Sequence, residues 1–379
     1  MITTFHLPTK IIFGVGSFKQ LGAEAREIGQ KAMLVTGRSS VRRTGLLDRV
    51  IQDLKDNGVD ALVFDKVVPN PRATTIDEGA SLVCSEGIDL VIGLGGGSAM
   101  DTAKGIALAS SGTKPIWDYI VTDVKVSGPV LPIILVPTIA ATASEANHSA
   151  AITNWQIREK RSLLSPYLFP KVSIVDPELT LTLPEKQTAQ GGVDIFCHVV
   201  ESYITAEEPS TVNDGIMETV MRTVVLFLPE VLKRLDDLEA RTQLSWASTI
   251  ACSQLLYLGG GCGQRTCHSI SNYLSGYYDV VHGDCLAALL PAWMRYTLPV
   301  TPERFHSLGK NVFGEEDGIV ATERWLETVG MKLRLGDLGV EPGLFAEMAA
   351  GCIRTDARTK AHPRVLNVET IKQIYQDAY

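Results

Sequence analysis

The sequence lacks the marks of a secreted, membrane-spanning or nucleic-acid-binding protein. Its seven cysteines are odd in number and include no CxxC pair, which favours buried, reduced thiols over disulfide bonds or a cysteine metal site. No segment reaches membrane-spanning length without charged or turn residues, and the first residues lack the apolar core of a signal peptide. No basic run occurs, and 35 basic residues stand against 43 acidic ones. We therefore expect a cytoplasmic protein with no membrane and no nucleic-acid partner.

The composition is that of a globular protein with more than one domain. The 379 residues, 45% hydrophobic and 21% charged, are too many for one ordinary core. Residues 10–175 alternate short β-rich runs with helical stretches, which is typical of a parallel sheet covered by helices. After Leu183 and Pro184 the pattern turns helical almost to the end. The sequence predicts an α/β domain over 1–183 and an all-helical domain over 184–379.

The individual elements of both domains can be predicted from the same patterns. The strands of the first domain are predicted at 11–13, 32–36, 61–64, 90–93 and 132–136, with a hairpin and a last strand between 149 and 175. Its helices are predicted near 17–29, 44–57, 75–86 and 98–109. The helices of the second domain are predicted near 185–206, 211–234, 239–258, 265–275, 283–297, 318–331 and 367–377.

A run of three glycines follows the apolar residues 90–92. Gly95, Gly96 and Gly97 are succeeded by Ser98 and a good helix-forming segment, so a strand passes here into a helix whose first N–H groups can hold a phosphate. A backbone without Cβ atoms can approach a pyrophosphate closely, and Ser98 can cap the helix. A tight turn with a good cap is the alternative, because the run matches neither the spaced dinucleotide fingerprint nor a P-loop.

Four side chains in the helical half have the chemistry of metal ligands. Asp194 and His198 are four residues apart, which on a helix places a carboxylate and an imidazole on one face. An Asp–His pair buried in a core is the alternative. His268 and His282 follow further along, and the four groups together can close a metal site.

Seven short motifs occur together in one order along the chain. They are Phe13-Gly14-Val15-Gly16-Ser17; Val68-Pro69-Asn70-Pro71; Gly95 to Ser98 with Asp101, Thr102 and Lys104; Pro137-Thr138 with Thr142, Ser144 and Glu145; Asp176-Pro177-Glu178-Leu179-Thr180; Asp194, His198 and Glu201; and His282-Gly283. In this combination the sequence resembles the iron-containing (group III) alcohol dehydrogenases, most of all their butanol dehydrogenase-like branch.

The resemblance implies a fold, a site and an assembly. It implies a Rossmann-like dinucleotide-binding domain, a helical metal-binding domain, an active site in the cleft between them, and a homodimer. The implied metal ligands are Asp194, His198, His268 and His282, holding Fe²⁺ with Zn²⁺ as the alternative. The implied cofactor contacts are Gly95, Gly96, Gly97, Ser98, Thr138, Thr142 and Lys160.

The chemistry of such a site is the oxidation of alcohols or the reduction of aldehydes. A divalent ion on one carboxylate and three imidazoles leaves a position for an alcohol oxygen and lowers the pKa of its hydroxyl, so that a hydride can pass to nicotinamide. The predicted function is a metal-dependent, NADP(H)-linked alcohol dehydrogenase or aldehyde reductase for a small primary alcohol or aldehyde. The alternatives are an NAD-linked glycerol or diol dehydrogenase-like enzyme and a cofactor-binding homologue without turnover.

The sequence departs from the family pattern at two places. Asn272 stands where the pattern has a second histidine one turn after His268, and an amide cannot titrate. The proton of the alcohol would then leave through water, a ribose hydroxyl or another residue such as His148. Ala141 and Ala143 stand where the pattern often has glycine, which predicts a stiffer loop after Thr138.

The choice of cofactor can be predicted from the end of the second strand. NAD-specific sites commonly place an acid there, which bonds the ribose 2′-hydroxyl and repels a 2′-phosphate. Here Arg42 and Arg43 follow a segment without a carboxylate, made of Gly37, Arg38, Ser39 and Ser40. The segment predicts NADP(H). Solvent-exposed arginines at the start of a helix are the alternative.

The substrate chain is less well defined by the sequence. Aromatic and apolar residues can line a pocket for a short apolar chain, or they can pack in the core and on the surface like any others. The candidates are Trp155, Tyr257, Leu258 and Tyr277.

Overall fold

A computed structural model describes residues 4–122, 124, 126, 128–208, 210–256 and 263–379. The chain divides into two compact units. The first contains Leu7–Leu183, and the second contains Pro184–Tyr379 together with the described residues before Leu7. Among the described residues, no helix is both long enough and apolar enough to cross a membrane.

The first unit is built on a six-stranded parallel sheet. Its strands, together with those of a separate two-stranded antiparallel hairpin (β6 and β7), are β1 (Lys10–Phe13), β2 (Lys31–Gly37), β3 (Asp60–Val67), β4 (Leu90–Gly95), β5 (Ile133–Pro137), β6 (Ser149–Asn154), β7 (Glu159–Leu164) and β8 (Val172–Val175). The order across the sheet is β1-β8-β5-β4-β2-β3, and every neighbouring pair is parallel. The edge strands are therefore β1 and β3, and β4 lies in the interior, between β5 and β2.

Helices cover both faces of this sheet. They are α1 (Leu21–Arg26), α2 (Ser40–Arg43), α3 (Leu46–Asp56), α4 (Ala73–Glu86), α5 (Gly97–Ser111) and α6 (Asp118–Val121). Alternate residues of a strand face opposite layers, so Met33 and Val35 belong to the core shared with α4 and α5, whereas Leu34 belongs to the core shared with α1 and α3. The predicted α/β class with a helix-covered parallel sheet is confirmed.

The second unit contains no strand among its described residues, and the predicted helical character is confirmed. Its helices are α7 (Glu185–Ile204), α8 (Thr211–Lys233), α9 (Leu238–Ala251), α10 (Thr266–Tyr278), α11 (His282–Thr297), α12 (Pro302–Leu308), α13 (Gly318–Thr328), α14 (Phe345–Thr355) and α15 (Val368–Asp377).

Three helices differ from the prediction. Helix α12 was not predicted, although Pro302 at its first position is a helix-start signal, because the helix has only seven residues and Gly309 follows it. Helix α14 was not predicted either, although Phe345, Met348 and Cys352 are buried at helical spacing. Helix α9 ends at Ala251, short of the predicted 258, and residues 257 and 258 lie outside the described part of the chain.

The carboxylate of Asp176 joins the turn after the first strand to the turn after the last strand of the first unit. Asp176, directly after β8, accepts hydrogen bonds from the backbone N–H of Phe18 (3.0 Å) and of Glu178 (3.0 Å). The turn after β1 is thereby joined to the turn after β8, at the carboxyl ends of two paired parallel strands. This explains why an Asp-Pro pair at the end of the last strand accompanies the glycine-containing turn after the first.

Candidate active site

The three glycines form the connection from β4 to α5. Gly95 has a φ of +148°, a backbone conformation that favours glycine. A Cβ on Gly97 would lie 2.5 Å from Cγ2 of Thr142, so this position has no room for a side chain. The first N–H groups of α5 have no partners within the helix, and its first turn, fully described, contains no acidic residue. The turn can therefore hold an anion such as a pyrophosphate.

The prediction that Ser98 caps this helix is wrong. Helix α5 begins at Gly97, its N-cap residue is Gly96, and no side chain makes a capping hydrogen bond there. Ser98 is the second residue of the helix, so its hydroxyl lies inside the first turn instead of in front of it. Without a capping side chain, the amides at this end of α5 are left for a ligand or for water.

Two of the three further predicted cofactor residues lie beside the glycine turn. The backbone N–H of Thr138, directly after β5, donates to the carbonyl of Gly95 (3.0 Å). Thr142 packs against Gly97, and its hydroxyl accepts a hydrogen bond from the N–H of Ser144 (3.3 Å). Lys160 is buried on β7 and donates to the side-chain oxygen of Asn70 (2.9 Å), which places it at the Val68 to Pro71 motif.

A fully buried lysine of the glycine motif, to which the sequence analysis assigned no role, holds the loop behind the turn. Nζ of Lys104, on α5, donates to the carbonyl oxygens of Ser144 (2.6 Å), Asn147 (2.9 Å) and Ser149 (2.9 Å). One turn earlier, Asp101 accepts hydrogen bonds from the Ser144 hydroxyl (2.7 Å) and from a backbone N–H of β6. The signal in the sequence was a lysine inside an otherwise small and apolar helix segment.

The loop held by Lys104 contains a strained residue. Ala143 has a φ of +50°, in the left-handed region that costs a non-glycine residue about 1–2 kcal/mol. The side-chain amide of Asn147 donates to the Ala143 carbonyl (2.8 Å) and so helps to hold this conformation. The expected stiffening by alanine is consistent with this geometry, in which a glycine would be the unstrained choice.

The segment after β2 lies next to a carboxylate that the sequence prediction did not consider. Gly37 ends β2 and is paired with Val67 of β3. Arg42, on α2, donates from Nε (3.2 Å) and Nη2 (2.7 Å) to Oδ2 of Asp65 on β3. The segment after β2, which contains no acid of its own, thus has a carboxylate of the neighbouring strand beside it, and only the strand order brings the two close. Both side chains of this pair are partly exposed.

In the second unit, the four predicted metal ligands come together from three helices, with three imidazoles around one oxygen of Asp194. Asp194 and His198 share a face of α7, as predicted, while His268 lies in α10 and His282 begins α11. Oδ1 of Asp194 is 3.5 Å from Nδ1 of His198, 3.5 Å from Nε2 of His268 and 3.8 Å from Nε2 of His282. Ligand atoms of Asp194, His268 and His282 all lie within 4.8 Å of one another.

The electrostatics of this cluster suit a cation. Oδ1 of Asp194, Nδ1 of His198 and Nε2 of His268 are buried and have no hydrogen-bond partner among the described residues. Burial by itself would raise the pKa of Asp194, but the surrounding imidazoles, His198 foremost, outweigh it and hold the pKa well below its usual range. Burial lowers the pKa of His198 to about 3, against the opposing effect of Asp194. An ionised carboxylate and a neutral imidazole are the forms that bind a divalent metal.

Three uncompensated polar atoms in one place would each cost about 1–3 kcal/mol. A bound divalent ion compensates such atoms, so the donor set fits the metal that the sequence predicts. The two neighbouring cysteines each lie one residue before a ligand on a helix, which turns their side chains away from it. Burial raises the pKa of the Cys197 and Cys267 thiols well above its usual range.

Sequence reasoning assigned no role to Glu201, although it belongs to the motif quoted for α7. This residue is fully buried, seven positions after Asp194. Its Oε2 accepts hydrogen bonds from the backbone N–H groups of Cys267 (2.6 Å) and His268 (3.1 Å), and its Oε1 contacts Nδ1 of His268. Burial alone would lower the pKa of His268, but Glu201 and Asp194 outweigh it and raise the pKa.

The two positions proposed for proton transfer lie in different units. Asn272 is buried on α10, four residues after His268. His148 is half-buried in the first unit, where its ring centroid is 4.9 Å from that of Phe169. Burial, and then the charge of Lys104, lower the pKa of His148.

The aromatic pocket candidates have ordinary packing contacts where they are described. Trp155 is exposed in the hairpin and lies under the guanidinium of Arg72, 4.3 Å from the ring centroid. The hydroxyl of Tyr277 donates to Glu347 (2.8 Å). Tyr257 and Leu258 lie outside the described residues.

Comparison with known proteins identifies the family. The family model described as "Iron-containing alcohol dehydrogenase" matches residues 8–177, and the model described as "Fe-containing alcohol dehydrogenase family, C-terminal" matches residues 188–379. The chain belongs to the iron-containing alcohol dehydrogenases. Membership implies an iron and a nicotinamide cofactor, and it establishes alcohol dehydrogenase activity at the level of the family.

Individual members of the iron-containing alcohol dehydrogenase family match over nearly their whole length. NADH-dependent butanol dehydrogenase A of Clostridium acetobutylicum is 35% identical, with 99% of each chain covered. The 1,3-propanediol dehydrogenase of Citrobacter freundii is 30% identical, with 99% of this chain and 98% of the relative covered. The crystal structure of NADH-dependent butanol dehydrogenase A from Thermotoga maritima superimposes with a TM-score of 0.94 at 33% identity, covering 100% of this chain and 98% of that one.

Replacing Lys104 by methionine should loosen the loop beside the glycine turn. Two buried carbonyls and one part-buried carbonyl would lose their donor, so we expect the free energy of unfolding to fall by about 3 kcal/mol and the affinity for nicotinamide dinucleotides to weaken. Urea denaturation and cofactor titration measure the two effects. Lys114→Met, at an exposed position just beyond the same helix, is the control and should change neither. Equal values for Lys104→Met and wild type would contradict the assigned role.

Proposed function

We propose that the protein is a metal-dependent, NADP(H)-linked alcohol dehydrogenase and aldehyde reductase that acts on small primary alcohols and aldehydes. The proposal depends on one observation: a buried carboxylate and three imidazoles from α7, α10 and α11 come together. Three of their polar atoms lack hydrogen-bond partners among the described residues. The donor set suits Fe²⁺, which the family implies, and equally Zn²⁺.

The residues of the chain have separable tasks in this proposal. Asp194, His198, His268 and His282 would hold the divalent ion. When bound, the ion supplies Lewis acidity that lowers the pKa of an alcohol hydroxyl and polarises an aldehyde carbonyl. The glycine turn and the first amides of α5 would bind the pyrophosphate of the cofactor, with Thr138 and Thr142 beside it. Lys104 would keep the loop that carries Thr142 in place.

Removal of the metal tests the function directly. We expect chelator-treated protein to lose the reduction of butanal by reduced nicotinamide cofactor, and Fe²⁺ added without air to restore it. Asp194→Asn should lower activity by two orders of magnitude or more, because the amide replaces the charged ligand on which the imidazoles converge. Asp48→Asn, an exposed helical aspartate of the first unit, is the control. Full activity in metal-free protein would overturn the proposal, and a panel of alcohols and diols run beside it would identify the substrate.

The NADP(H) preference is supported by the segment after β2. Gly37, Arg38, Ser39 and Ser40 contain no carboxylate, and cations follow them. Two observations favour the NAD-linked alternative instead: Asp65 neutralises Arg42, and the Clostridium and Thermotoga relatives are named NADH-dependent. The diol dehydrogenase alternative takes its support from the similarity to 1,3-propanediol dehydrogenase.

A carboxylate at Gly37 should shift the preference toward NAD(H). A Cβ there would meet only the carbonyl oxygen of Val67, at 3.8 Å, so Gly37→Asp introduces a charge without strain. We expect the ratio of kcat/KM for NADPH to that for NADH to fall roughly tenfold, about 1.4 kcal/mol of repulsion. Gly37→Asn is the uncharged control of the same size. A clear preference of the wild type for NADH would contradict the NADP(H) proposal whatever the variants do.

The route of the alcohol proton is the least usual part of the mechanism. Asn272 can donate and accept hydrogen bonds but cannot titrate, so we propose that water, a ribose hydroxyl or His148 carries the proton. The lowered pKa of His148 leaves its imidazole neutral at pH 7 and able to accept a proton.

Restoring a histidine at position 272 should change the pH dependence of turnover. Asn272→His adds a group that titrates near neutrality, so we expect an additional ionisation in the kcat profile for alcohol oxidation. Asn272→Gln keeps an amide and should leave the shape of the profile as in the wild type. If Asn272→His folds, turns over and shows the wild-type profile, this position has no part in proton transfer.

We also propose that the protein is a homodimer. The family resemblance implies at least a dimer, and β1 is an edge strand of the parallel sheet, where a second chain can pair or pack.

A further inference from the structure

Glu201 contacts both the imidazole of His268, a predicted metal ligand, and the backbone at the start of the helix that carries it. Glu201 is fully buried on α7, and the three described polar contacts of its carboxylate all go to α10: the backbone N–H groups of Cys267 and His268, and Nδ1 of His268. The N-cap residue of α10, Arg265, makes no side-chain capping hydrogen bond. Oε2 of Glu201 therefore does for α10 what a capping side chain does elsewhere, at the helix end that favours negative charge.

The second oxygen of Glu201 fixes the chemistry of the imidazole. Carboxylate oxygens accept hydrogen bonds, as Oε2 does from two backbone N–H groups, so the contact between Oε1 and Nδ1 of His268 favours the tautomer with the proton on Nδ1. In the neutral ring, Nε2 then carries the lone pair. Nε2 is the atom that faces Asp194, at 3.5 Å, and it has no hydrogen-bond partner among the described residues. The carboxylate thus selects the tautomer and the ring orientation that a metal needs.

We propose that Glu201 is a positioning residue that holds His268 ready to bind the metal through Nε2. The inference rests on the proposed metal-dependent function and adds a residue that touches neither the ion nor the substrate. One side chain would set both the start of α10 and the orientation of the ligand that α10 carries. The affinity of the site for its metal would then depend on a residue outside the ligand set.

Glu201→Gln is the sharpest substitution because it keeps the size and removes one acceptor. If the amide oxygen stays on the two backbone N–H groups, the amide nitrogen faces Nδ1 of His268 and favours the tautomer whose Nε2 is protonated. If the oxygen faces Nδ1 instead, the amide nitrogen confronts two N–H donors. Either arrangement should weaken metal binding about 10–100-fold.

The measurement is the dissociation constant of metal-free protein for Zn²⁺, obtained by competition with a chromophoric chelator. The visible spectrum of bound Co²⁺ reports the ligand field independently of turnover. Asp317→Ala is the matched control, because Oδ1 of Asp317 accepts from two first-turn amides of α13 (2.8 and 3.0 Å) without contacting a histidine. Both variants should lower the urea midpoint, and only Glu201→Gln should lose Zn²⁺ affinity and alter the Co²⁺ spectrum.

Zn²⁺ affinity of Glu201→Gln within twofold of wild type would overturn the inference and leave Glu201 as a helix cap. If Glu201→Gln does not fold, Glu201→Asp carries the same test, because it keeps the charge and shortens the reach: weakened Zn²⁺ binding supports the inference and unchanged binding overturns it. Failure of the wild type to bind Zn²⁺ or Co²⁺ at all would overturn the proposed metal site and this inference together. Metal binding by the wild type with an unaffected Glu201→Gln overturns the inference alone.

Discussion

The helical unit has to accommodate one buried carboxylate, that of Asp194, which three imidazoles surround. Oδ1 of Asp194 lies 3.5–3.8 Å from three histidine nitrogens, which come from the three helices α7, α10 and α11. Buried polar atoms without partners are costly, so an arrangement of this kind persists only if something compensates them. A divalent ion bound to these side chains would compensate them, in agreement with the iron that the family implies.

In the α/β unit, the main constraint is that the first backbone amides of α5 stay free of a capping side chain while the turn before them keeps a fixed conformation. Glycines at 95 and 97 let the chain turn closely past Ala99 and Thr142, and α5 begins without a capping side chain. The loop next to this turn is held in place by Lys104, whose ammonium group donates hydrogen bonds to three of the loop's carbonyl oxygens. A fully buried lysine is rare unless its charge is well solvated by protein oxygens, and this one has four such contacts.

The sequence around the end of β2 does not contain every charge that lies near that strand end in the folded chain. The end of β2 has no acid, yet Asp65 of the adjacent strand pairs with Arg42, the cation that the pattern would assign to a 2′-phosphate. Exposed ion pairs of this kind contribute little to stability, but this one neutralises the charge of Arg42. The names of the relatives favour NADH, whereas the sequence pattern favours NADP(H). The two expectations differ in whether Arg42 carries an unpaired charge.

The sequence by itself determined the alternation of strands and helices, the glycine turn and the residue types of the metal cluster, because these depend on local periodicity and on chemistry that each residue carries alone. The start of α5 and the strain at Ala143 depend on backbone angles, which only the folded chain defines. Helix α14, by contrast, has buried residues at helical spacing that the sequence already contained. Asp65 next to Arg42, Lys104 under its loop and Glu201 behind His268 are separated from their partners by 23 to 67 residues along the chain. Only tertiary structure decides such pairs, because strand order and helix packing, which no single segment encodes, bring them into contact.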